Sequence, residues 1–215
     1  MKKILAMLLV LLMAVGMVAC GNGTGGTSQQ PENTNFVRGE WTDNLYVNEF
    51  LNLKFTLPEG WNKASDEEIA EMMGLATEFA AGDSSYSTAY NDAKNVYDMV
   101  AQDTTNGTNI IVMAENLALS VGGTSYDEKA YADTVSQQLA AQENLDYTFA
   151  EEPSEISIDG ETYLILKATL YDGQMCQNYL MRRVGKYMET IVITFPVEVE
   201  FDSVLAQFNS AAAAA

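Results

Sequence analysis

Apolar and polar residues alternate in short runs along most of the chain, which predicts strands separated by turns. Residues 52–57 alternate as one strand, and Pro58 and Gly60 end it. Two more strands, at 96–102 and 109–115, are predicted on either side of an Asn106-Gly107 turn or a four-residue loop at 104–107. The last third predicts a meander, with strands near residues 155–158, 161–171, 174–183 and 187–195. Its turns are expected at Asp159-Gly160, Asp172-Gly173 and Gly185.

Helix-period patterns interrupt this strand pattern at three places. Ser65 with Glu68, and Ser125 with Glu128, predict capping boxes at the starts of two helices, and a third helix is expected near Asp202. The buried faces are expected to be Ile69, Met72, Met73, Ala76 and Ala80, then Tyr131, Val135 and Leu139, then Val204, Leu205 and Phe208. Because strands and helices do not alternate regularly, the pattern predicts an α+β domain with a mainly antiparallel sheet flanked by helices.

The N-terminus has a different pattern, with two basic residues before an apolar run. Lys2 and Lys3 precede residues 4–19, a run of 16 residues that is shorter than the roughly 20 needed to span a bilayer. A basic start, a leucine-rich middle and small residues at the end are typical of a secretory signal peptide. The run ends in Met17-Val18-Ala19-Cys20-Gly21, which resembles the lipobox of bacterial lipoproteins, although Met17 stands where leucine is usual.

The lipobox resemblance implies that Cys20 is diacylated and becomes the mature N-terminus on the outer face of the cell membrane. The alternatives are an ordinary secreted protein and an uncleaved anchor helix. Residues 20–44 are rich in Gly, Thr, Asn and Gln, and we expect a flexible linker there. The predicted organisation is therefore a signal peptide at 1–19, a lipid-attached linker at 20–44, a folded domain at 45–210 and a short tail at 211–215.

The start of the folded domain also resembles a known family. Residues 46–61, YVNEFLNLKFTLPEGW, are similar to the opening of PsbP-like domains, which have a hairpin and then an aromatic residue, an apolar residue, Pro, Gly and Trp. The resemblance implies an αβα sandwich around an antiparallel sheet, shared by plant PsbP proteins, the nuclear-transport Mog family and bacterial lipoproteins of Gram-positive type. PsbP and Mog proteins differ in function, so the resemblance implies a fold and no catalytic residue.

Composition excludes several kinds of site. The 215 residues include no histidine, which excludes a Ser-His-Asp triad, a Cys-His dyad and a histidine-ligated zinc or haem. With 11 basic and 30 acidic residues the net charge is −19, which argues against nucleic acid as a partner. Loss of Lys2 and Lys3 with the signal peptide makes the mature chain still more acidic. No cofactor is expected.

Two groups of charged residues are candidate sites. Glu198, Glu200 and Asp202 would share one side of an extended segment and offer oxygen ligands to Ca²⁺, but a solvated edge with a helix N-cap at Asp202 is the interpretation we favour. Arg182, Arg183 and Lys186 concentrate positive charge at one hairpin and are candidates for contact with an anion or a partner. Because adjacent strand residues point to opposite faces, ion pairs with neighbouring acids are the favoured alternative. Trp41, in the linker, is the candidate aromatic contact.

The sequence therefore predicts a membrane-anchored extracytoplasmic lipoprotein. Its domain is expected to act as a non-catalytic module for protein interaction or complex assembly, with an unknown protein partner and with the membrane contacted through the lipid. The alternatives are a module that binds a small solute or Ca²⁺, and a hydrolase of cell-wall polymers that uses paired carboxylates. No carboxylate spacing selects such a pair among the 30 acidic residues.

Overall fold

The computed structural model describes residues 35–74, 93–120, 122–142, 144–149 and 151–211. Cys20, the signal peptide and the predicted helix positions Ala76 and Ala80 lie outside these ranges. The strands are β1 (Glu40–Thr42), β2 (Leu45–Asn48), β3 (Leu53–Thr56), β4 (Trp61–Lys63), β5 (Asn95–Asp103), β6 (Asn109–Asn116), β7 (Ser154–Ile158), β8 (Glu161–Leu170), β9 (Met175–Val184), β10 (Tyr187–Pro196) and β11 (Phe208–Asn209). The helices are α1 (Asp66–Met72), α2 (Glu128–Ala140) and α3 (Phe201–Leu205).

In the described part of the chain, the strands form two antiparallel sheets. The larger has seven strands in the order β4-β5-β6-β10-β9-β8-β7, and the smaller has four in the order β1-β2-β3-β11. Every pairing between these strands is antiparallel, and β7 to β10 form the predicted meander. The α+β class with a mainly antiparallel sheet is therefore confirmed. Within the small sheet, strands β1 and β11 were not predicted from the sequence.

The two faces of the large sheet are covered differently in the described part of the chain. Arg182 and Arg183 are consecutive on β9, so their side chains leave opposite faces. Arg182 donates to the Leu51 carbonyl between β2 and β3, whereas Arg183 donates to the Tyr126 carbonyl just before α2, at 2.7 Å. The small sheet thus lies against one face and α2 against the other. Tyr131 and Leu139 of α2 are buried and Val135 packs on the core, as the helical spacing predicted.

The helix caps agree with the prediction at α1 and differ at α2. Ser65 and Glu68 form the predicted capping box, and Gly74 takes a left-handed φ of 68° just after α1. The predicted capping box at Ser125 is wrong, because residues Gly123–Ser125 form a 3₁₀ turn. Asp127 is the N-cap instead, with an extended backbone and a carboxylate that accepts from the Ala130 N–H at 2.8 Å.

The structure has the predicted two-residue turn at one Asp-Gly pair of the meander and a longer loop at the other. Asp159 and Gly160 both have positive φ and join β7 to β8 as a two-residue turn. At the second pair, β8 and β9 already separate after Leu170↔Met175, so the loop has four residues, 171–174. In this loop Tyr171 and Asp172 take φ angles of 54° and 53°, and the Gln174 N–H donates to the Tyr171 carbonyl at 3.1 Å.

The folded domain begins earlier than the predicted boundary at residue 45. Phe36 is buried and its ring contacts those of Phe50 and Tyr187, at centroid distances of 5.3 and 5.6 Å. Glu40–Thr42 pair with β2 as strand β1. Residues 35–44 are therefore part of the fold and not of the linker, because an aromatic anchor and a strand follow the glycine-rich segment. No helix in the described ranges has the length and hydropathy needed to cross a bilayer.

Candidate functional site

Three carboxylates are buried in the centre of the large sheet. Asp98 lies on β5, Glu115 on β6 and Glu189 on β10, and each is at most 1% exposed. A buried charge is costly unless it is paired and hydrogen-bonded. Each of the three contacts one tyrosine hydroxyl and one basic side chain. We call these groups the Asp98 cluster, the Glu115 cluster and the Glu189 cluster.

The Asp98 cluster joins the N-terminal segment to the large sheet. A β-bulge between Tyr97 and Met99 leaves Asp98 unpaired in the ladder, and its carboxylate lies against the small sheet. Its oxygens accept from the Tyr46 hydroxyl, from Asn48 Nδ2 at 2.6 Å and from the Gly39 N–H at 3.2 Å. Arg38 Nε lies 3.4 Å from Oδ1. This carboxylate is therefore satisfied entirely by residues 38–48.

Burial and hydrogen bonding act in opposite directions on this carboxylate. Burial raises the pKa of Asp98, while the Tyr46 hydroxyl, the Arg38 guanidinium and Asn48 favour the charged form. Burial and the adjacent Asp98 raise the pKa of Tyr46 well above its usual value. The Tyr46 hydroxyl is thus a proton donor to Asp98 at any physiological pH, which is a structural role.

The Glu189 cluster contains Arg182, the first of the predicted interaction residues. Arg182 Nη2 and Nε lie 2.8 and 2.9 Å from Glu189 Oε2, and Nη1 pairs with Glu161. Tyr163 donates its hydroxyl to Glu189 Oε1 at 3.2 Å, and the guanidinium carbon lies 4.9 Å from the Tyr163 ring centroid. Burial raises the pKa of Glu189 to about 6, against the opposing effect of Arg182. Arg182 is therefore committed to ion pairs inside the fold.

The Glu115 cluster lies on the face of the large sheet that α2 covers. Tyr131 of α2 donates to Glu115 Oε2 at 2.7 Å, and Ser120 donates to Oε1 at 2.5 Å. Lys94 Nζ lies 3.5 Å from Oε1. Burial and the neighbouring Glu115 raise the pKa of Tyr131 well above its usual value. The cluster fastens α2 and the 3₁₀ turn Leu117–Leu119 to the sheet.

The three clusters share one chemical consequence. Their carboxylate oxygens already accept bonds from other elements of the protein, so the arrangement stabilises contacts between elements. Sequence reasoning missed all three acids. The available indication was an acid within an otherwise apolar strand, as in VYDMV around Asp98, IIVMAEN around Glu115 and YMETIVI around Glu189. A strand pattern alone does not show whether such an acid is exposed or paired.

The predicted basic group at the β9–β10 hairpin does not converge on one surface. Arg183 points to the face opposite Arg182 and donates to the carbonyls of Gly185, Tyr126 and Thr124. Lys186 Nζ lies 5.5 Å from the Tyr187 ring centroid. The favoured alternative, ion pairing of Arg182 with neighbouring acids, is what the geometry shows.

Trp41 is half-buried in the small sheet. Its ring contacts Tyr46 and Phe55, at centroid distances of 5.5 and 6.3 Å, and Lys63 Nζ lies 4.5 Å above it. Trp41 therefore lies in strand β1 and not in a linker, because residues 40–42 pair with β2.

The acidic group near the C-terminus is exposed and is not extended. Glu198 lies in a turn after β10, Glu200 is the N-cap of α3, and Asp202 lies in its first turn, so the predicted N-cap at Asp202 is wrong. The three carboxylates therefore do not share one side of a strand. Among the described residues, no group of three or more Asp, Glu or Cys side chains is placed to hold a metal ion.

The fold and these clusters define an α+β protein with a mainly antiparallel sheet. No protein-family model matches the sequence, and no curated protein matches it. The chain is similar to the solution structure of cyanobacterial PsbP (CyanoP) from Synechocystis, at 12% identity and a TM-score of 0.46, over 77% of this chain and 91% of that one. CyanoP is described as a PsbP protein, and residues 46–61 of this chain resemble the opening of PsbP-like domains.

A second solved structure, from Bacteroides thetaiotaomicron, is similar at 10% identity and a TM-score of 0.36. The match covers 78% of this chain and 48% of that one, so this chain spans about half of that protein's length. Neither similarity carries information on binding or activity.

Proposed function

We propose that the protein is a lipid-anchored lipoprotein of the extracytoplasmic membrane face, whose domain is a non-catalytic module for protein interaction or complex assembly. The observation that carries the proposal is the attachment of residues 36–39 to the domain core, shortly after the lipobox cysteine. The Phe36 N–H donates to the Tyr187 hydroxyl at 3.1 Å, and Arg38 and Gly39 bind Asp98. Because residues 36–39 are bonded to the domain core, a lipid-attached linker that leads into them would anchor the whole domain to the membrane.

The length between Cys20 and Phe36 sets how far the domain lies from the bilayer. Sixteen residues extend to about 55 Å at most. If they form the flexible, glycine-rich linker that the sequence predicts, they would span roughly 22 Å on average. Two or three acyl chains on Cys20 would give durable attachment, where a single chain gives only marginal binding. The domain would therefore act on partners in or close to the membrane.

The chemistry of the buried acids supports a non-catalytic role. A hydrolase with paired carboxylates needs one raised-pKa acid and one base facing a substrate cleft. The acids buried at the centre of the large sheet instead face tyrosines, arginines and a lysine of the protein itself. Together with a sequence that has no histidine, this favours binding over catalysis.

The anchor is tested with two cysteine variants of the full chain expressed in a bacterium. We expect Cys20→Ser to leave the membrane pellet or to accumulate as an unprocessed precursor of lower mobility. Cys176→Ser is the matched control, since Cys176 lies half-buried in β9, and it should stay in the pellet at the mature size. If Cys20→Ser fractionated and migrated like the wild type, the lipoprotein proposal would be overturned.

The interaction role is tested by affinity capture of the lipidated protein from detergent-solubilised membranes, with quantitative mass spectrometry. A membrane protein recovered in near-stoichiometric amount supports the proposal. Recovery of no such protein, together with a melting temperature that rises with CaCl₂ or a solute, would instead favour the ligand-binding alternative.

A further inference from the structure

One end of the large sheet lies far from the point at which the linker enters the fold. Tyr187, which receives the Phe36 N–H, begins β10, and Pro196 ends that strand. A ten-residue strand is about 30 Å long. The loops beyond Pro196 are therefore at the opposite end of the domain from the linker. We call residues 144–147, 171–174 and 196–202 at this end the distal surface.

The three segments of the distal surface are tied together by backbone hydrogen bonds. The Tyr171 N–H donates to the Leu145 carbonyl at 3.0 Å, and the Val197 N–H donates to the Gln174 carbonyl at 3.1 Å. These bonds connect the segment after α2, the β8–β9 loop and the turn after β10. The surface is thus a joined unit, which reduces the entropy that binding would cost.

Two large apolar side chains are exposed on this unit. Tyr171 is 41% exposed and Val197 is 61% exposed. In the described ranges, the other exposed large apolar side chains are Val37 and Leu119. Tyrosine is among the residues enriched in protein interfaces, because it adds a large contact area at a small cost in side-chain entropy.

The backbone at Tyr171 indicates that its position is maintained at a cost. Its φ of 54° lies in the left-handed region, which asparagine and aspartate tolerate and bulky residues rarely adopt. In the described part of the chain, the other residues with positive φ, glycines apart, are all Asn or Asp. Backbone strain of this kind concentrates at functional sites.

The charge around these apolar side chains has one sign. Asp146, Asp172, Glu198, Glu200 and Asp202 are all exposed on the distal surface. Residues 144–149, 170–175 and 196–205 contain no lysine or arginine. An apolar centre with an acidic rim is complementary to a partner that carries basic residues around an apolar side chain.

We propose that the distal surface docks a protein segment in which lysine or arginine residues flank an apolar side chain, with Tyr171 and Val197 as the apolar contacts. This inference rests on the proposed interaction role and names the partner's chemistry. The charge disfavours an anionic membrane and a second copy of this acidic chain as occupants. The position, at the end away from the linker, leaves the surface open to a partner while the lipid is anchored.

The test is site-specific photocrosslinking with the full lipidated chain in its own membrane. Benzoylphenylalanine replaces Tyr171 or Val197, and replaces Leu119 as the control, because Leu119 is similarly exposed in a different segment. We expect crosslinks from positions 171 and 197 to one protein, at a peptide with lysine or arginine within a few residues of the crosslinked site. Position 119 should give no such product.

Charge reversal tests the complementarity. The double variant Asp172→Lys with Glu198→Lys should lower the crosslink yield from position 171 by about fivefold or more. Glu67→Lys with Glu155→Lys is the matched control, since both acids are exposed in α1 and β7 and the net charge changes equally. Its yield should stay within about twofold, and melting temperatures should show that both variants are folded.

Four results would overturn this inference. The first is a partner that crosslinks from position 119 and not from 171 or 197, which leaves the proposed interaction role intact. The second is crosslinking to lipid alone. The third is an unchanged crosslink yield after charge reversal. The fourth is a CaCl₂-induced rise in melting temperature that Asp172→Lys removes. Failure of the proposed function itself is distinguishable, because affinity capture would then recover no stoichiometric protein.

Discussion

At the scale of single residues, Asp98 and Glu115 connect layers of the fold that the sheet ladders do not join, and Glu189 binds side chains of β8 and β9 within the large sheet. Each accepts from a tyrosine whose hydroxyl comes from another element, Tyr46, Tyr131 or Tyr163. Removing a paired buried charge leaves its partners unsatisfied, which costs more than the pair itself contributes. These acids should therefore be among the most sensitive positions of the domain.

The Asp98 cluster offers a direct test of this sensitivity. Asp98→Ala leaves Arg38, Tyr46 and Asn48 without their shared acceptor and should lower the free energy of unfolding by about 3–5 kcal/mol. Asp66→Ala removes the other carboxylate that pairs with Arg38, but that pair is exposed and its loss should cost less than about 1 kcal/mol. Urea unfolding of both variants measures the difference. Similar losses of unfolding free energy in the two variants would show that the buried carboxylate of Asp98 contributes no more than the exposed carboxylate of Asp66.

Glu189 should give the domain a distinctive pH dependence. Burial raises its pKa from 4.5 to about 6, so between these values the folded chain binds a proton that the unfolded chain releases. The contribution of Glu189 to stability is therefore present below pH 4.5 and falls by about 2 kcal/mol as the pH rises through 6. Glu189→Gln cannot titrate. In urea unfolding, the free energy of unfolding of the wild type relative to this variant should decrease between pH 4.5 and about 6. An increase would show that the ion pair with Arg182, which favours the charged form of Glu189, outweighs the effect of burial.

At the scale of elements, the local pattern predicted strands better than helix boundaries. The alternation at residues 187–195 corresponds to β10, and the helical spacing of Tyr131 and Leu139 corresponds to the buried face of α2. The start of α2 was placed two residues too early, because the Ser125–Glu128 spacing fits a capping box equally well. Ser125 instead donates to the Gly122 carbonyl at 2.7 Å within the 3₁₀ turn.

The two possible caps of α2 are separable by mutation. Asp127→Ala should lower the free energy of unfolding by about 1 kcal/mol, because the Ala130 N–H loses its side-chain acceptor. Ser125→Ala removes an exposed bond outside the helix and should change stability by less than about 0.5 kcal/mol. Thermal unfolding followed by circular dichroism compares them. The reverse order would support the cap predicted from the sequence.

At the scale of the whole molecule, residues 35–44 complete the domain. They bring the buried Phe36 and strand β1 to the small sheet and supply Arg38 and Gly39 to Asp98. In the proposed lipoprotein, the lipid-attached linker would enter the domain at this segment. The exposed apolar side chains Tyr171 and Val197 lie at the other end of the large sheet.

Truncation tests where the domain begins. A chain that starts at Asn35 keeps the Phe36 and Asp98 contacts and should unfold at the same urea concentration as a chain that starts at Cys20. A chain that starts at Leu45 loses Phe36, Arg38 and β1, and should be less stable by at least about 4 kcal/mol. Equal stability of the two chains would show that the domain begins at residue 45, as the sequence predicts.

The sequence alone determined the features that depend on neighbouring residues. The meander from β7 to β10, the Asp159-Gly160 turn and the α1 capping box follow from side-chain alternation and turn chemistry within a few residues. For the same reason the opposite directions of Arg182 and Arg183 were predictable.

Only the tertiary structure decided which polar groups are buried and what satisfies them. Asp98 is buried because a β-bulge turns it toward Tyr46, 52 residues earlier, and Arg182 is partly buried because it reaches the Leu51 carbonyl, 131 residues away. Trp41 and Phe36 joined the core for the same reason, since the surfaces that cover them come from distant elements. Such contacts depend on how whole sheets pack, and the spacing of residues along the chain does not predict that packing.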